Sequence, residues 1–390
     1  MTMKHLIIGN GIAGINAAET IRRLAPDAAI TIVSDEPQPV YSRCLIPHLI
    51  DGSKSETDLF IRPGDFYENL NLITKFGVKV TRINPHHRQV ELADGETLPY
   101  DRLLLATGAA PALPDVPGAH LPGVLGLRTM ADAQALAQRA AKAKKAVVIG
   151  AGLVSLKGAA ALLSLGLEVT VFAASRQILS QLCDEQAAAL LQKALANTGL
   201  KFRLGQDVQA ITGDSSVQGI VLNNGEELPA DLVLIGKGVT PNTSLLKEAG
   251  LEVNWGVKVN EFMQTVDPDI FAAGDVAETW DVVRRTQRTN TLWPNAAQQG
   301  RVAGSNMAGF QRPYRGSIAM NSITLAGIPM ITAGITRPEG HEYRTEVDFR
   351  PQQNHYHKVV YRGRQPVGLI AVGEIQKAGI LVNKILNQLS

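Results

Sequence analysis

The chain has 390 residues, 45% hydrophobic, 19% charged and 5% aromatic, with 36 glycines and 20 prolines. That composition excludes disorder, collagen and coiled coil, and the length exceeds what one hydrophobic core usually supports, so two or three domains are expected. The 38 basic and 36 acidic residues leave a formal charge of +2, which gives no electrostatic case for nucleic acid or an anionic membrane as main partner. Cys44 and Cys183 are the only cysteines and fit no CxxC or Cys/His zinc spacing, so no metal site is expected. No apolar run approaches the ~20 residues that would span a bilayer. An apolar strand pattern begins almost at once, at Lys4-His5-Leu6-Ile7-Ile8, leaving no room for a signal peptide; a cytoplasmic protein is the expectation.

The first strand pattern runs into Gly9-Asn10-Gly11-Ile12-Ala13-Gly14 and an alanine-rich helix pattern to Leu24. Strand, GxGxxG and helix stand in the order a dinucleotide site demands. Gly9 permits the tight turn, Gly11 lets backbone approach a pyrophosphate, and Gly14 lets the helix pack on the strand. A second strand pattern, Ile30 to Val33, leads to Asp35 and Glu36, where a carboxylate would bind ribose hydroxyls. The same grammar returns at Ala146-Val147-Val148-Ile149-Gly150-Ala151-Gly152-Leu153-Val154-Ser155, with Ser155 as a small residue in the third glycine's place. The strand that follows, Glu168 to Phe172, ends without an acid, in Ala173-Ala174-Ser175-Arg176. Such a site does not select NAD through its 2′-hydroxyl, and Arg176 is either a 2′-phosphate ligand or a solvated loop residue. Two dinucleotide folds in one chain read either as two cofactors held face to face or as a duplication with one idle half. Gly108-Ala109-Ala110-Pro111 and Val239-Thr240-Pro241-Asn242 have the composition of hinges between them.

Four further motifs complete the pattern: Leu103-Leu104-Leu105-Ala106-Thr107-Gly108; Gly236-Lys237-Gly238-Val239-Thr240-Pro241-Asn242; Ile270-Phe271-Ala272-Ala273-Gly274-Asp275; and Trp293-Pro294-Asn295-Ala296-Ala297-Gln298-Gln299-Gly300. With them, about residues 3–312 resemble the FAD-dependent pyridine nucleotide–disulfide oxidoreductase family. The likeness is to the branch of ferredoxin and rubredoxin reductases, nitrite reductase flavin modules, NADH oxidases and peroxidases, and coenzyme A-disulfide reductases. The resemblance implies an α/β protein of two Rossmann-like domains, the second inserted in the first, with a small α+β C-terminal domain. The FAD domain would be 1–111 with 242–312, the NAD(P) domain 112–241, and the interface domain 313–390. It implies FAD contacts at Arg43, Thr107, Gly108, Gly274, Asp275, Pro294 and Ala296, beside Gly9, Gly11, Gly14, Asp35 and Glu36. NADH or NADPH would be held by Gly150, Gly152, Ser155, Lys157, Arg176 and Gly238.

Two departures from the family pattern bear on function. Tyr41 and Arg43 match the electron-transfer branch, whereas Cys44 replaces its proline and His48 its lysine. Cys44 falls where the peroxidase branch keeps a single redox cysteine, so it is either a thiolate at the start of a helix or a small apolar filler. Cys183, in a helix pattern of the other domain, reads as structural. Lys157 stands where the family carries glutamate. The basic run Arg284-Arg285-Thr286-Gln287-Arg288 is either an ordinary exposed loop or a landing site for an acidic electron carrier.

The C-terminal stretch alternates as strands over Ser322–Ala326, Tyr343–Phe349, His355–Tyr361 and Val367–Val372, then a helix pattern through Ile380, Leu381, Ile385 and Leu389. Its family counterpart supplies an interface, so oligomerisation through it is expected. His355 and His357 share one strand face and read as solvated surface.

Three functions are weighed. The first is an FAD-dependent NAD(P)H oxidoreductase serving an electron-carrier protein or the subunits of a redox complex. The second is a single-cysteine reductase of a small disulfide, peroxide or oxygen using Cys44. The third is a flavin-holding subunit without catalysis.

Overall fold

The computed structural model describes residues 2–387. Its first sheet is parallel throughout, in the order Ile270–Ala272, Arg102–Leu105, Lys4–Ile8, Ala29–Ser34 and Leu72–Phe76. Leu6, Ile7, Leu103, Leu104, Ile30 and Ile32 are all buried. Continuous apolar runs, rather than alternation, fit strands covered on both faces. One cover is the Ile12–Leu24 helix packed on the Trp293–Met307 helix. A Cβ on Gly300 or Gly304 would strike the backbone carbonyl of Ala13 or Ala17. Glycine therefore sets how closely these two helices lie. The other cover is an antiparallel meander, Val80–Asn84, Gln89–Leu92 and Thr97–Pro99.

The second sheet repeats this design and is inserted before the last strand of the first. Its order is Lys201–Leu204, Glu168–Ala173, Lys145–Ile149, Leu232–Ile235 and Val124–Leu125, again all parallel. Val148, Val169, Val171, Leu232 and Leu234 face the helices Leu153–Ser164 and Glu185–Asn197. Val147, Ile149, Phe172, Val233 and Ile235 face a second meander, Val208–Thr212, Gly219–Leu222 and Glu227–Pro229. The chain passes between the two halves at Ala109–Pro111 and Val239–Pro241, which pair antiparallel.

The remaining residues form an antiparallel sheet in the order Met320–Leu325, Ile328–Gly334, Gln365–Val372, His355–Arg362 and Tyr343–Arg350. The Ala378–Leu386 helix covers one face. The other face joins the core of the inserted unit through Met330, Tyr356, Ile370 and Val372. The Tyr356 hydroxyl and the Lys358 ammonium both donate to Asp184 Oδ2, at 2.6 and 2.8 Å. Among the described residues no helix is long and apolar enough to cross a membrane.

Three sequence expectations need correction here. The strand Ile328–Gly334 was not foreseen. Cys183 precedes the Glu185–Asn197 helix instead of lying in it, because Asp184 caps that helix by accepting from the Ala187 N–H at 3.3 Å. His355 is buried, not solvated, and its Nε2 lies 3.1 Å from Asp348 Oδ2 and 2.9 Å from Arg350 Nη2. The expected C-terminal helix is described to Leu386, and Leu389 lies outside the described residues.

Candidate cofactor site

A cavity of about 590 Å³ opens at the carboxyl ends of the first sheet's strands, where open parallel sheets bind ligands. Gly9 and Gly11 form its floor. Gly9 has φ +114, and a Cβ there would strike the Ala106 carbonyl oxygen. Gly11 caps the Ile12–Leu24 helix without a side chain, which leaves the helix's first N–H groups free for an anion. Gly14 is buried against the Gly9 carbonyl instead of lining the cavity. Thr107 and Gly108, Gly274 and Asp275, and Ala296 in the first turns of the Trp293–Met307 helix complete the wall. Pro294 lies outside it, exposed in the first turn of that helix.

Charge on the wall is balanced by pairs. The Glu36 carboxylate accepts from the Tyr41 hydroxyl and from Arg43. Arg43 Nη1 also donates to the Tyr41 hydroxyl at 3.1 Å and to the Arg128 carbonyl at 2.9 Å. Burial pushes the Tyr41 phenol well above its ordinary range, so it stays a neutral donor. Arg128 binds Asp275 Oδ2 at 2.5 Å, while its Nε is buried with no hydrogen-bond partner among the described residues. Asp35 is exposed at the cavity's edge and makes no hydrogen bond or ion pair among the described residues. Of the two acids after the second strand, Asp35 is therefore the uncommitted one.

Cys44 is exposed and lines the same cavity. It sits in the middle of a 3-10 turn, Arg43–Leu45, ahead of a four-residue helix, Pro47–Ile50. The helix it was expected to open is thus absent, because Pro47 takes the first helical position itself. His48 is held by Ser53 at 3.0 Å. Burial raises the Cys183 thiol to about 12, which makes it an inert core residue.

The inserted sheet carries the second set at its own carboxyl end, away from this cavity. Gly150 has φ +105, and a Cβ there would strike the Gly236 carbonyl. Ser155 is fully buried, and its hydroxyl donates to that same carbonyl at 2.9 Å. Gly152 and Gly238 are exposed, with nothing within 4 Å of a Cβ on either. Lys157 is half-buried and Arg176 exposed, and neither side chain makes a hydrogen bond or ion pair among the described residues. Lys237, beside Gly238, is instead tied to Asp207 at 2.9 Å.

Sequence reading missed Arg128. Thr129-Met130-Ala131-Asp132 is a capping-box spacing, and the box forms. That signal fixes where the helix begins. It does not reveal that the arginine before it reaches an aspartate 147 residues away.

The family described as pyridine nucleotide-disulphide oxidoreductase matches residues 3–300. The chain belongs to that family. Its members bind FAD and NAD(P)H, and this chain has the two Rossmann-like units of that family. It is 33% identical over 388 residues to nitrite reductase [NAD(P)H] of Bacillus subtilis, covering 99% of this chain and 47% of that protein. It is 32% identical to the NADH-dependent phenylglyoxylate dehydrogenase subunit epsilon of Aromatoleum evansii, covering 99% of this chain and 92% of that one. A solved NAD-dependent persulfide reductase from A. fulgidus superposes with a TM-score of 0.91 at 29% identity, covering 99% of this chain and 77% of that one. The chain spans about half the length of the Bacillus subtilis relative. The residues present fit FAD: a glycine floor, a free helix N-terminus, an unengaged Asp35, and a buried Arg128 Nε that lacks an acceptor.

Proposed function

We propose that this chain is the flavin module of an NAD(P)H:acceptor oxidoreductase whose acceptor is a redox protein or a partner subunit. The observation that carries this reading is the isolation of Cys44. It has no second thiol, no imidazole and no hydrogen-bond partner among the described residues, whereas the charged wall beside it is built and paired. The Aromatoleum evansii relative, matched over nearly its whole length, is itself a subunit of a larger enzyme.

In this reading residues 1–111 and 242–312 hold FAD, 112–241 hold the nicotinamide dinucleotide, and 313–390 serve as an interface. The backbone at Gly9 and Gly11 and the Ile12–Leu24 helix N-terminus take the pyrophosphate. Asp35 takes ribose hydroxyls, Arg43 and Arg128 supply positive charge, and Asp275 accepts from the polyol chain. The Trp293–Met307 helix directs its N-terminal dipole at the cavity, where it favours negative charge on a reduced ring. FAD, once bound, supplies the step from hydride to single-electron chemistry. Each NAD(P)H delivers one hydride, which balances two one-electron reductions at the carrier and releases one proton. Gly150, Gly152, Ser155 and Gly238 shape the nicotinamide site, and Arg176 and Lys157 are its uncommitted cations. A cytoplasmic location belongs to the same proposal, supported by the two free cysteines. Oligomerisation through the C-terminal sheet belongs there too, supported by its exposed edge strand Tyr343–Arg350.

Anaerobic mixing with NADH and with NADPH tests the reading. The bound flavin bleaches on a catalytic timescale with at least one donor, and Cys44→Ser keeps dye reduction within a few-fold. Collapse of that variant to background overturns the proposal. One observation favours a second reading: Cys44 is exposed on the cavity wall. A cysteine-based reductase would show a long-wavelength absorbance band on two-electron reduction that Cys44→Ser abolishes.

A further inference from the structure

The chain's three tryptophans fall between residues 255 and 293. Trp293 lines the cavity, while Trp255 and Trp280 are 55% and 44% exposed. Trp280 lies on, and Trp255 two residues before, the strands of one small sheet, Val257–Lys258, Ala277–Asp281 and Thr286–Arg288. The Trp255 and Gly256 N–H groups each donate to Glu278 Oε1 at 2.9 Å, which ties the Trp255 loop to the middle strand. Trp280 stands opposite Gln287 on the hairpin. Gly316 lies against Trp280, so Arg315 is brought alongside.

This exposed surface is aromatic and basic. Arg285, Arg288 and Arg315 are exposed, and their guanidinium groups make no hydrogen bond or ion pair among the described residues. The hairpin's two acids are buried and occupied. Glu278 holds the Trp255 loop, and Asp281 accepts from Asn290 at 3.1 Å and from the Val283 and Arg284 N–H groups. Arg285 even holds φ +56 at the turn, a left-handed conformation glycine would adopt at lower cost. Both roots of the hairpin are cavity wall: Gly274 and Asp275 lead in, and Thr291 and Trp293 follow it.

We infer that this hairpin face is the docking surface for a small acidic redox protein, anchored by Trp255 and Trp280 and steered by Arg285, Arg288 and Arg315. The inference rests on the protein-acceptor reading above. Tryptophan and arginine are the residues that concentrate binding energy at interfaces. Unpaired arginines attract an acidic partner over distance and raise its association rate. A second copy of the chain fits poorly, because a twofold contact sets the patch against itself and arginine against arginine.

The flavin-loaded full chain is tested with an acidic plant-type [2Fe–2S] ferredoxin as probe and uncharged menadione as control acceptor. Ferredoxin binding is read by tryptophan fluorescence, and reduction by turnover. Trp280→Ala and the double variant Arg285→Glu/Arg288→Glu each lower ferredoxin kcat/KM at least about tenfold and weaken binding by a similar factor. Menadione reduction stays within about twofold. Wild-type binding weakens as salt rises, and the charge-reversed variant loses most of that dependence. If both variants bind and reduce ferredoxin like wild type, the surface is wrong and the protein-acceptor reading stands. If wild type reduces menadione but neither binds nor reduces ferredoxin, that reading falls and takes the docking surface with it. If Trp280→Ala turns a dimer into a monomer in sedimentation while ferredoxin kinetics are unchanged, a second copy covers the patch and the inference is overturned.

Discussion

The two parallel sheets carry the same strand–turn–helix and close it with different chemistry. In the first, Gly14 lies so near the Gly9 carbonyl that a Cβ would collide with it. In the second, Ser155 occupies the corresponding place, and its hydroxyl donates at 2.9 Å to the carbonyl of Gly236, just past the neighbouring strand. The first turn is closed by the absence of atoms and the second by the presence of a hydroxyl. The acids differ too: Asp35 and Glu36 follow the second strand of the first unit, while Ala173 ends the equivalent strand of the other. One turn thus faces an uncommitted carboxylate at Asp35, and the other has none at the equivalent strand end.

Exchanging the two turn residues gives the largest asymmetry. Gly14→Ser forces backbone apart inside the flavin-side turn, an overpacking cost of about 3 kcal/mol, and the purified protein should lose most of its flavin. Ser155→Gly loses one buried hydrogen bond and some helix propensity, together about 2 kcal/mol, and should keep its flavin. Urea midpoints and flavin-to-protein absorbance ratios measure both. Equal losses from the two substitutions would remove the distinction drawn between the turns.

The strands that enter these turns, Lys4–Ile8 and Lys145–Ile149, sharpen the comparison through His5, which stands where the inserted unit has Ala146. His5 is buried and neither ring nitrogen has a hydrogen-bond partner among the described residues. Burial, with Arg102 adding to it, lowers its pKa to about 4 against an ordinary 6.5; Asp101 opposes and Arg22 adds. The unfolded chain thus binds a proton that the folded chain refuses. Stability is complete above about pH 6.5 and falls as pH drops toward 4, by about 3 kcal/mol. Denaturant melts from pH 7 to 4.5 should show this slope shrinking in His5→Leu, and an unchanged slope would assign the acid sensitivity to other groups.

Legibility in the sequence followed the range of the interaction. The turns at Gly9 and Gly150 are local: each is specified within a few residues of its strand, so both were readable, as were the acid at Asp35 and its lack at Ala173. The strand Ile328–Gly334 was hidden because Pro329 interrupts its pattern. His355 reads as surface in the sequence because period-2 alternation places a residue on a face without saying what covers that face. The links Arg43 to Arg128 and Arg128 to Asp275 join positions 85 and 147 residues apart, and no spacing rule reports them. Only the closure of the fold brings those three charged side chains onto one wall.

That closure is testable at Arg128. Its side chain and that of Asp275 retain 21% and 15% exposure, so solvent screens the pair and it is worth less than a fully buried one. Arg128→Ala should weaken FAD retention roughly tenfold, about 1.4 kcal/mol. Adding Asp275→Asn should cost less than the sum of the two single changes, because the partners share one interaction. Strict additivity in flavin dissociation constants would mean that the two residues act on FAD separately.

The smallest expected effect lies at the open end of the inserted unit. Arg176 is exposed, unpaired and follows a strand that ends in Ala173 in place of an acid. A 2′-phosphate there gains one screened contact, worth about 0.7 kcal/mol. Arg176→Ala should therefore raise KM for NADPH about threefold and leave KM for NADH unchanged. Ala173→Glu, which restores the missing carboxylate, should shift preference the other way by repelling the phosphate and accepting from the ribose. If neither substitution alters the NADPH-to-NADH ratio, the dinucleotide's adenosine end does not rest at this loop. The openness of the second site would then come from elsewhere in the fold, with Lys157 as the next cation to replace.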